Sequence, residues 1–154
     1  VCNGMQIFRS KDSVDFVLIE DIQGVCGDLS SSVSYTYTDQ TPILNNYNYY
    51  KINFGGLEDS NILGIEVINI LSNSYLLKPN PVTGASDLYF ENDNQSEVVL
   101  KVFDDFGDVI YLEETQANKF TLDSTSFSSG MYYFSLENKT TRNVINGKAV
   151  ILNQ

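Results

Sequence analysis

The sequence predicts an all-β chain made of two small antiparallel β-sandwiches in tandem. Its 10 Tyr and 9 Phe residues accompany abundant Val, Ile and Thr, a composition that favours strands. Short apolar runs alternate with turn clusters, and Val33–Thr38 has the period of two that is typical of a half-buried strand. No segment shows a convincing helical periodicity. A chain of 154 residues is long enough for two small β domains.

Residues 1–71 are predicted to form the first sandwich, truncated at its N-terminus. Polar turn residues, and Gly55-Gly56 after the fourth run, separate its apolar runs. The predicted strands are Met5–Arg9, Phe16–Ile19, Val33–Thr38, Tyr47–Phe54 and Ile62–Ile70.

Residues 72–77 are predicted to be a linker between the two domains. Ser72, Asn73 and Ser74 are small and polar, and they precede Lys78-Pro79-Asn80-Pro81. Two prolines one residue apart fix the backbone twice and hold the residues before them in extended conformations. We therefore expect an exposed, cleavable joint here; the alternative is an ordinary inter-domain linker.

Residues 78–154 are predicted to form the second sandwich. In the fifth of its runs Tyr132, Phe134 and Leu136 are expected to face the core. Gly107 is expected to supply a positive φ in a hairpin turn, and Gly130 to do the same before a strand. The predicted strands are Leu88–Phe90, Val98–Phe103, Val109–Leu112, Phe120–Leu122, Met131–Leu136 and Val144–Leu152.

Charge and composition exclude several classes of function. The net charge is −11 with only 9 Lys and Arg residues, which argues against binding to nucleic acid or to an anionic membrane. No apolar run is long enough to span a bilayer as a helix. His is absent, so the commonest general base and metal ligand is missing. Cys2 and Cys26 predict a disulfide in an exported protein, with two buried thiols as the alternative. Because the chain begins at Val1, we interpret it as a fragment of a longer protein.

Three acidic clusters are the candidate sites of chemistry. Asp104, Asp105 and Asp108 lie around Gly107, but they lack the ligand spacing of a calcium-binding loop, and a solvated hairpin tip explains them better. A carboxylate pair for glycoside cleavage could be sought at Glu113-Glu114 or at Glu91 and Asp93, but two small sandwiches offer no deep cleft. We therefore predict no catalytic residues, no metal and no cofactor.

An aromatic cluster is the one candidate for ligand binding in the first half. Tyr47, Tyr49 and Tyr50 could stack against a sugar, with Tyr47 and Tyr49 on one face of a strand and Tyr50 on the other. Core packing and cross-strand pairing are the alternative explanation.

The C-terminal half resembles the type A C-terminal sorting domain of the type IX secretion system. Four motifs carry this resemblance in the family's order over about 75 residues: Pro79-Asn80-Pro81, Val102–Gly107, Phe127–Tyr132 and Lys148–Ile151. The sorting-motif residues are Pro79, Asn80, Pro81, Phe103, Asp104, Gly107, Gly130, Tyr132 and Lys148. The chain departs from the family at its end, where Leu152-Asn153-Gln154 replaces the frequent terminal Lys or Arg.

The resemblance implies that the second domain is an export signal. Its expected partners are the outer-membrane type IX translocon with its β-barrel shuttle protein, and a sortase-like surface peptidase that cleaves near Ser72, Asn73 and Ser74. The expected route runs through the periplasm of a Gram-negative bacterium to the cell surface or the medium. The alternative function is an adhesin or carbohydrate-binding tandem sandwich.

Residues 2–70 resemble the fibronectin-III-like or immunoglobulin-like modules that often precede such domains. Gln6–Phe16, Tyr37–Asp39 and Asn48–Ile52 carry this likeness. Ser13 and Ser124 also fit an Asp-Ser/Thr O-glycosylation pattern reported for such bacteria.

Overall fold

The structure, a computed structural model, describes residues 4–24 and 34–153. Within these ranges it contains twelve strands, one short 3₁₀ helix at Ser124–Ser126 and no α-helix, which confirms the predicted all-β class. None of the described segments is a helix long and apolar enough to cross a membrane. The chain divides into two compact units, Val1–Asn69 and Ile70–Gln154.

In its described residues, 4–24 and 34–69, the N-terminal unit contains one antiparallel sheet of five strands. In it β2 pairs with β1, β1 pairs with β3, and β4 and β5 both pair with β3. Gly55 and Gly56 have φ values of 63° and 77°, so they form the predicted turn after β3. The strands are β1 Met5–Ser10, β2 Val17–Ile22, β3 Asn46–Phe54, β4 Glu58–Asp59 and β5 Leu63–Val67.

The strand predicted at Val33–Thr38 is wrong over its described part, because residues 34–39 form no regular secondary structure. This segment is held by side chains instead of a backbone ladder: Asp39 accepts hydrogen bonds from Arg9 and Tyr50. Tyr35 and Tyr37 line a cavity over one face of the sheet. Thr36 and Thr38 line the same cavity, so the alternation of Tyr with Thr does not separate two faces of a strand here.

The C-terminal unit is a sandwich of two antiparallel sheets. One sheet has the order β10-β7-β6 and the other has the order β12-β11-β8-β9. A constant-type immunoglobulin sandwich also has seven strands divided into sheets of three and four. The strands are β6 Tyr75–Lys78, β7 Ala85–Phe90, β8 Val98–Phe103, β9 Val109–Thr115, β10 Lys119–Asp123, β11 Gly130–Asn138 and β12 Val144–Ile151.

The core of this unit lies between the two sheets and follows the period of two. Tyr132, Phe134 and Leu136 of β11 are buried, while Tyr133 is exposed, as predicted. Other core residues come from every strand except β9; among them are Leu77, Leu88, Val102, Phe120 and Ile151.

The first strand of the sandwich begins inside the segment predicted as a linker. Tyr75–Lys78 forms β6 and pairs with β7, so residues 75–77 are not a connection. The reason is burial: Leu77 is a core residue, and the Tyr75 ring packs edge-on against Phe134 at a centroid distance of 4.9 Å. The segment between the last strand of the first unit and Tyr75 ends in a turn closed by Ser74 N–H donating to Leu71 O.

Candidate functional site

The Pro79-Asn80-Pro81 motif lies along the outer edge of the last strand. Both X-Pro bonds, Lys78-Pro79 and Asn80-Pro81, are cis. Asn80 Oδ1 accepts a hydrogen bond of 3.2 Å from Val150 N–H, and Val82 N–H donates to Val150 O at 2.7 Å. Leu152 N–H in turn donates to Val82 O at 2.9 Å. The first motif, Pro79-Asn80-Pro81, therefore covers the outer edge of β12, the strand that carries the last motif.

The second motif forms the hairpin tip between β8 and β9. Asp104 Oδ1 accepts hydrogen bonds from Phe106 N–H at 3.0 Å and from Asp108 N–H at 2.9 Å. Gly107 has a φ of 87°, and its N–H donates to Asp104 O, so the predicted glycine turn is confirmed. The Asp104 carboxylate is thus occupied by the turn itself.

The third motif fixes the start of β11 through Tyr132. This side chain is buried, its hydroxyl donates to Ser128 O at 2.9 Å, and its ring packs against Phe127. The expected positive φ at Gly130 is wrong, because Gly130 is the first residue of β11 and none of the positive φ values belongs to it. An added Cβ at Gly130 would meet only an ordinary contact at 3.8 Å, with the Tyr132 ring.

Residues 77–152 match the family described as secretion system C-terminal sorting domains. These residues contain all four motifs and the strands of the sandwich from Leu77 in β6 to Ile151 in β12. The C-terminal half of the chain belongs to the type IX secretion system sorting-domain family. No curated protein matches the chain. The sorting domain is an export signal, a non-catalytic targeting region that directs a protein to the cell surface or the extracellular space.

Gly147 is a structural residue of the sorting domain that the motif analysis missed. It lies opposite Phe134 in the β11–β12 register. A Cβ added to Gly147 would lie 2.2 Å from Phe134 Cζ and 2.7 Å from Tyr75 Cε1, so both rings pack directly on the glycine backbone. The available signal was an isolated Gly inside a predicted strand, which indicates close approach of another group.

Asn92 is a second residue that the sequence reading missed. Its side chain is 7% exposed, and its amide nitrogen donates to the carbonyl oxygens of Ser96, Gln116 and Ala117 at 2.9–3.0 Å. Its Oδ1 accepts a bond from Ser96 N–H at 3.1 Å. One amide thus ties the β7–β8 loop to the β9–β10 turn. In the sequence it was one of several Asn residues in a polar loop, with nothing to distinguish it.

The predicted cleavage residues lie in the turn before β6. Ser72 and Asn73 are exposed and Ser74 is half-buried. Asn73 has a φ of 58°, and its Oδ1 accepts a bond of 3.3 Å from Asn143 Nδ2 of the β11–β12 loop. A depression of about 290 Å³ beside this contact has five Asn residues in its lining, Asn73 and Asn143 among them.

In the N-terminal unit, the tyrosines lie on two faces of β3, as alternation predicts. Tyr47 and Tyr49 stack with ring centroids 5.9 Å apart and an interplanar angle of 20°. Tyr47 is 46% exposed, whereas the Tyr49 ring covers Gly64 of β5. Tyr50 faces the opposite side and donates its hydroxyl to Asp39 at 2.9 Å. Tyr50 is therefore not part of the same aromatic surface.

Asp39 and Tyr50 line the N-terminal cavity and form a polar cluster with Arg9. This cavity has a volume of about 470 Å³ and an apolar lining that includes Ile7 and Ile52. Burial would raise the pKa of Asp39, but hydrogen bonds from the Thr41 N–H, the Arg9 guanidinium and the Tyr50 hydroxyl lower it below 3.8. Burial, followed by the Asp39 contact, raises the pKa of Tyr50 to about 12. The cluster is thus held in the ionised Asp39 and neutral Tyr50 state at neutral pH.

The two predicted glycosylation residues differ in exposure. Ser13 is exposed in a turn. At the centre of this turn, the Asp12 carboxylate accepts hydrogen bonds from the Asp15 N–H, the Ser10 hydroxyl and the Val14 N–H, which lower the pKa of Asp12 to about 2. Ser124 is 4% exposed, so modification of its hydroxyl in the folded domain is contradicted by burial.

The remaining candidate groups supply no site. Cys2 and Cys26 lie outside the described residues, so their predicted disulfide stays a prediction. Within residues 4–24 and 34–153, no group of three or more His, Cys, Asp or Glu side chains could hold a metal ion.

Proposed function

We propose that the chain is the targeting region of a protein exported by the type IX secretion system, in which the sorting domain is read as a folded unit. The observation that carries this proposal is that the matched residues form a complete two-sheet sandwich with its own core. Asn80, Asp104, Gly107 and Tyr132 act within that fold. The shape and surface of the domain would then be what the translocon and its β-barrel shuttle protein recognise, after passage through the periplasm of a Gram-negative host.

A reporter fusion tests this proposal. The whole chain is fused to the C-terminus of a periplasm-directed reporter, and a matched fusion ends at Asn69, the end of the first unit. In a host with a type IX system, the first reporter should reach the surface and the second should stay in the periplasm. Retention of both, with the first fusion folded, would refute the proposal.

We further propose that a sortase-like surface peptidase removes the sorting domain at residues 72–74. Cleavage there would leave every strand from β6 onward within the released domain. The turn at Leu71–Ser74 and the Asn73–Asn143 bond would have to open first, because peptidases bind extended segments. Mass spectrometry of the surface-exposed reporter should show a C-terminus within 71–74; an intact Pro79-Asn80-Pro81 tail on the mature protein would contradict it.

A carbohydrate-binding role for the N-terminal unit is the second candidate. The stacked Tyr47 and Tyr49 rings favour it, because aromatic rings on an open sheet face can stack against sugars. Glycan binding that survives deletion of residues 70–154 and is lost in Tyr47→Ala would support this role. Binding that is unaffected by Tyr47→Ala would exclude the stacked pair as the site.

A further inference from the structure

The outer face of the four-stranded sheet of the sorting domain carries exposed apolar side chains that lie outside its core. The core lies on the inner face, where Val102, Phe134 and Ala149 are almost completely buried. On the outer face, Tyr133 is paired in register with Phe103 on one side and with Lys148 on the other. Two sorting-motif residues from strands far apart in sequence therefore flank one exposed aromatic ring.

Phe103, Tyr133 and Lys148 form a row across the sheet, and this row continues into an apolar surface. We name the set Phe103, Val109, Leu112, Met131, Tyr133 and Lys148 the outer-face patch. Five of its six members are apolar. Among these, Leu112 is 57% exposed, Tyr133 is 52% exposed and Val109 is 51% exposed. Phe103, Val109 and Leu112 also line a shallow depression of about 630 Å³. The outer face of a solvated sheet is normally polar, so a contiguous apolar row there indicates a contact surface.

The charges of this surface indicate the chemistry of its partner. The chain has a net charge of −11, and the other cation of this face, Lys101, lies 3.6 Å from Glu137. In the described part of the chain, no carboxylate lies within ion-pair distance of Lys148. Lys148 is exposed at one end of the row, next to Tyr133. A carboxylate on a partner would form an ion pair with Lys148, whereas a second copy of the same face would present another unpaired cation.

We propose that the outer-face patch is the docking surface for the export machinery, and that its partner is a protein surface with an apolar centre and a carboxylate placed opposite Lys148. This proposal rests on the proposed export function and names the face through which it works. Tyr133 is the aromatic anchor of the contact, and Lys148 sets its orientation.

The experiment uses the reporter fused to the whole chain, with Tyr133→Ser and Lys148→Glu as test variants. Phe106→Ser is the matched control for the aromatic change, because Phe106 is 91% exposed at the hairpin tip. Arg142→Glu is the control for the charge change, because Arg142 is 74% exposed in the β11–β12 loop. Each test variant should lower the amount of reporter at the surface about tenfold, the effect of losing one interface anchor. Both controls should export normally, and all four should keep the wild-type melting temperature.

The outcomes separate this proposal from the export function. If the wild-type fusion is not exported, the proposed function itself fails. If the wild type is exported and both test variants are exported equally well, only the outer-face patch is excluded. A dimer seen by analytical ultracentrifugation in the wild type and lost in Tyr133→Ser would identify a second copy as the occupant and overturn the proposal.

Discussion

Gly147→Ala is the substitution that tests the packing of the sorting domain most sharply. The new Cβ would lie 2.2 Å from Phe134 Cζ and 2.7 Å from both Phe134 Cε2 and Tyr75 Cε1. Carbon atoms in contact are normally about 3.5–4.0 Å apart. Phe134 is 2% exposed and directly opposite Gly147 in register, so its ring cannot move away without leaving the core.

The expected cost follows from this geometry. Overpacking a filled core costs about 1–3 kcal/mol, and two rings held edge-to-face against the glycine place this case at about 3 kcal/mol. For a domain of this size each kcal/mol lowers the melting temperature by about 4–8 °C. We therefore expect the C-terminal unit of Gly147→Ala to melt about 12–24 °C below that of the wild type.

Differential scanning calorimetry of the whole chain measures this shift. Gly84→Ala is the matched control, because no atom lies within 4 Å of its added Cβ, and its effect should stay within about 0.5 kcal/mol. In a double-mutant cycle, Gly147→Ala should cost less in the Phe134→Leu background than in the wild type, since the smaller side chain makes room for the methyl group. A Gly147→Ala protein that melts with the wild type would refute the packing argument.

Three further substitutions test individual polar contacts. Asn92→Ala removes a buried amide and leaves three carbonyl groups without their donor. Urea unfolding should therefore show that the free energy of unfolding falls by about 3 kcal/mol. A fall below about 0.5 kcal/mol would contradict the role of Asn92 in joining the two loops. Tyr132→Phe removes the bond to Ser128 O and should cost about 1 kcal/mol, and an unchanged unfolding midpoint would show that this bond contributes nothing. The lowered pKa of Asp39 means that its ionised form stabilises the N-terminal unit above its ordinary pKa of 3.8, and that this stability is lost as the pH falls through the lower folded value. Asp39→Asn should therefore destabilise the unit at pH 7 and flatten its pH dependence below pH 4, as followed by circular dichroism; a variant with the wild-type acid transition would refute this assignment.

The sequence was sufficient for the elements that depend on local patterns. The alternation of Tyr132, Phe134 and Leu136 predicted the inner face of β11 correctly, because sheet burial has a period of two. Gly107 between two apolar runs predicted the β8–β9 hairpin, since its positive φ is a local requirement.

Features that depend on distant residues were not predictable in this way. Residues 34–38 alternate like a strand, yet Asp39 is bound to Arg9 and Tyr50, and these long-range side-chain contacts replace a ladder. Tyr75 was assigned to a linker because the aromatic contact that holds it is with Phe134, far along the chain. Likewise, only the strand register shows that Phe103 and Lys148 flank Tyr133.

The export function is tested most directly by the location of the reporter in two otherwise identical hosts, one with and one without the outer-membrane type IX translocon. Protease accessibility on intact cells measures how much of the whole-chain fusion is on the surface. We expect surface exposure when the translocon is present and retention in the periplasm when it is deleted. Equal surface exposure in both hosts, or retention of a folded fusion in both, would contradict the assignment of residues 77–152 as the export signal.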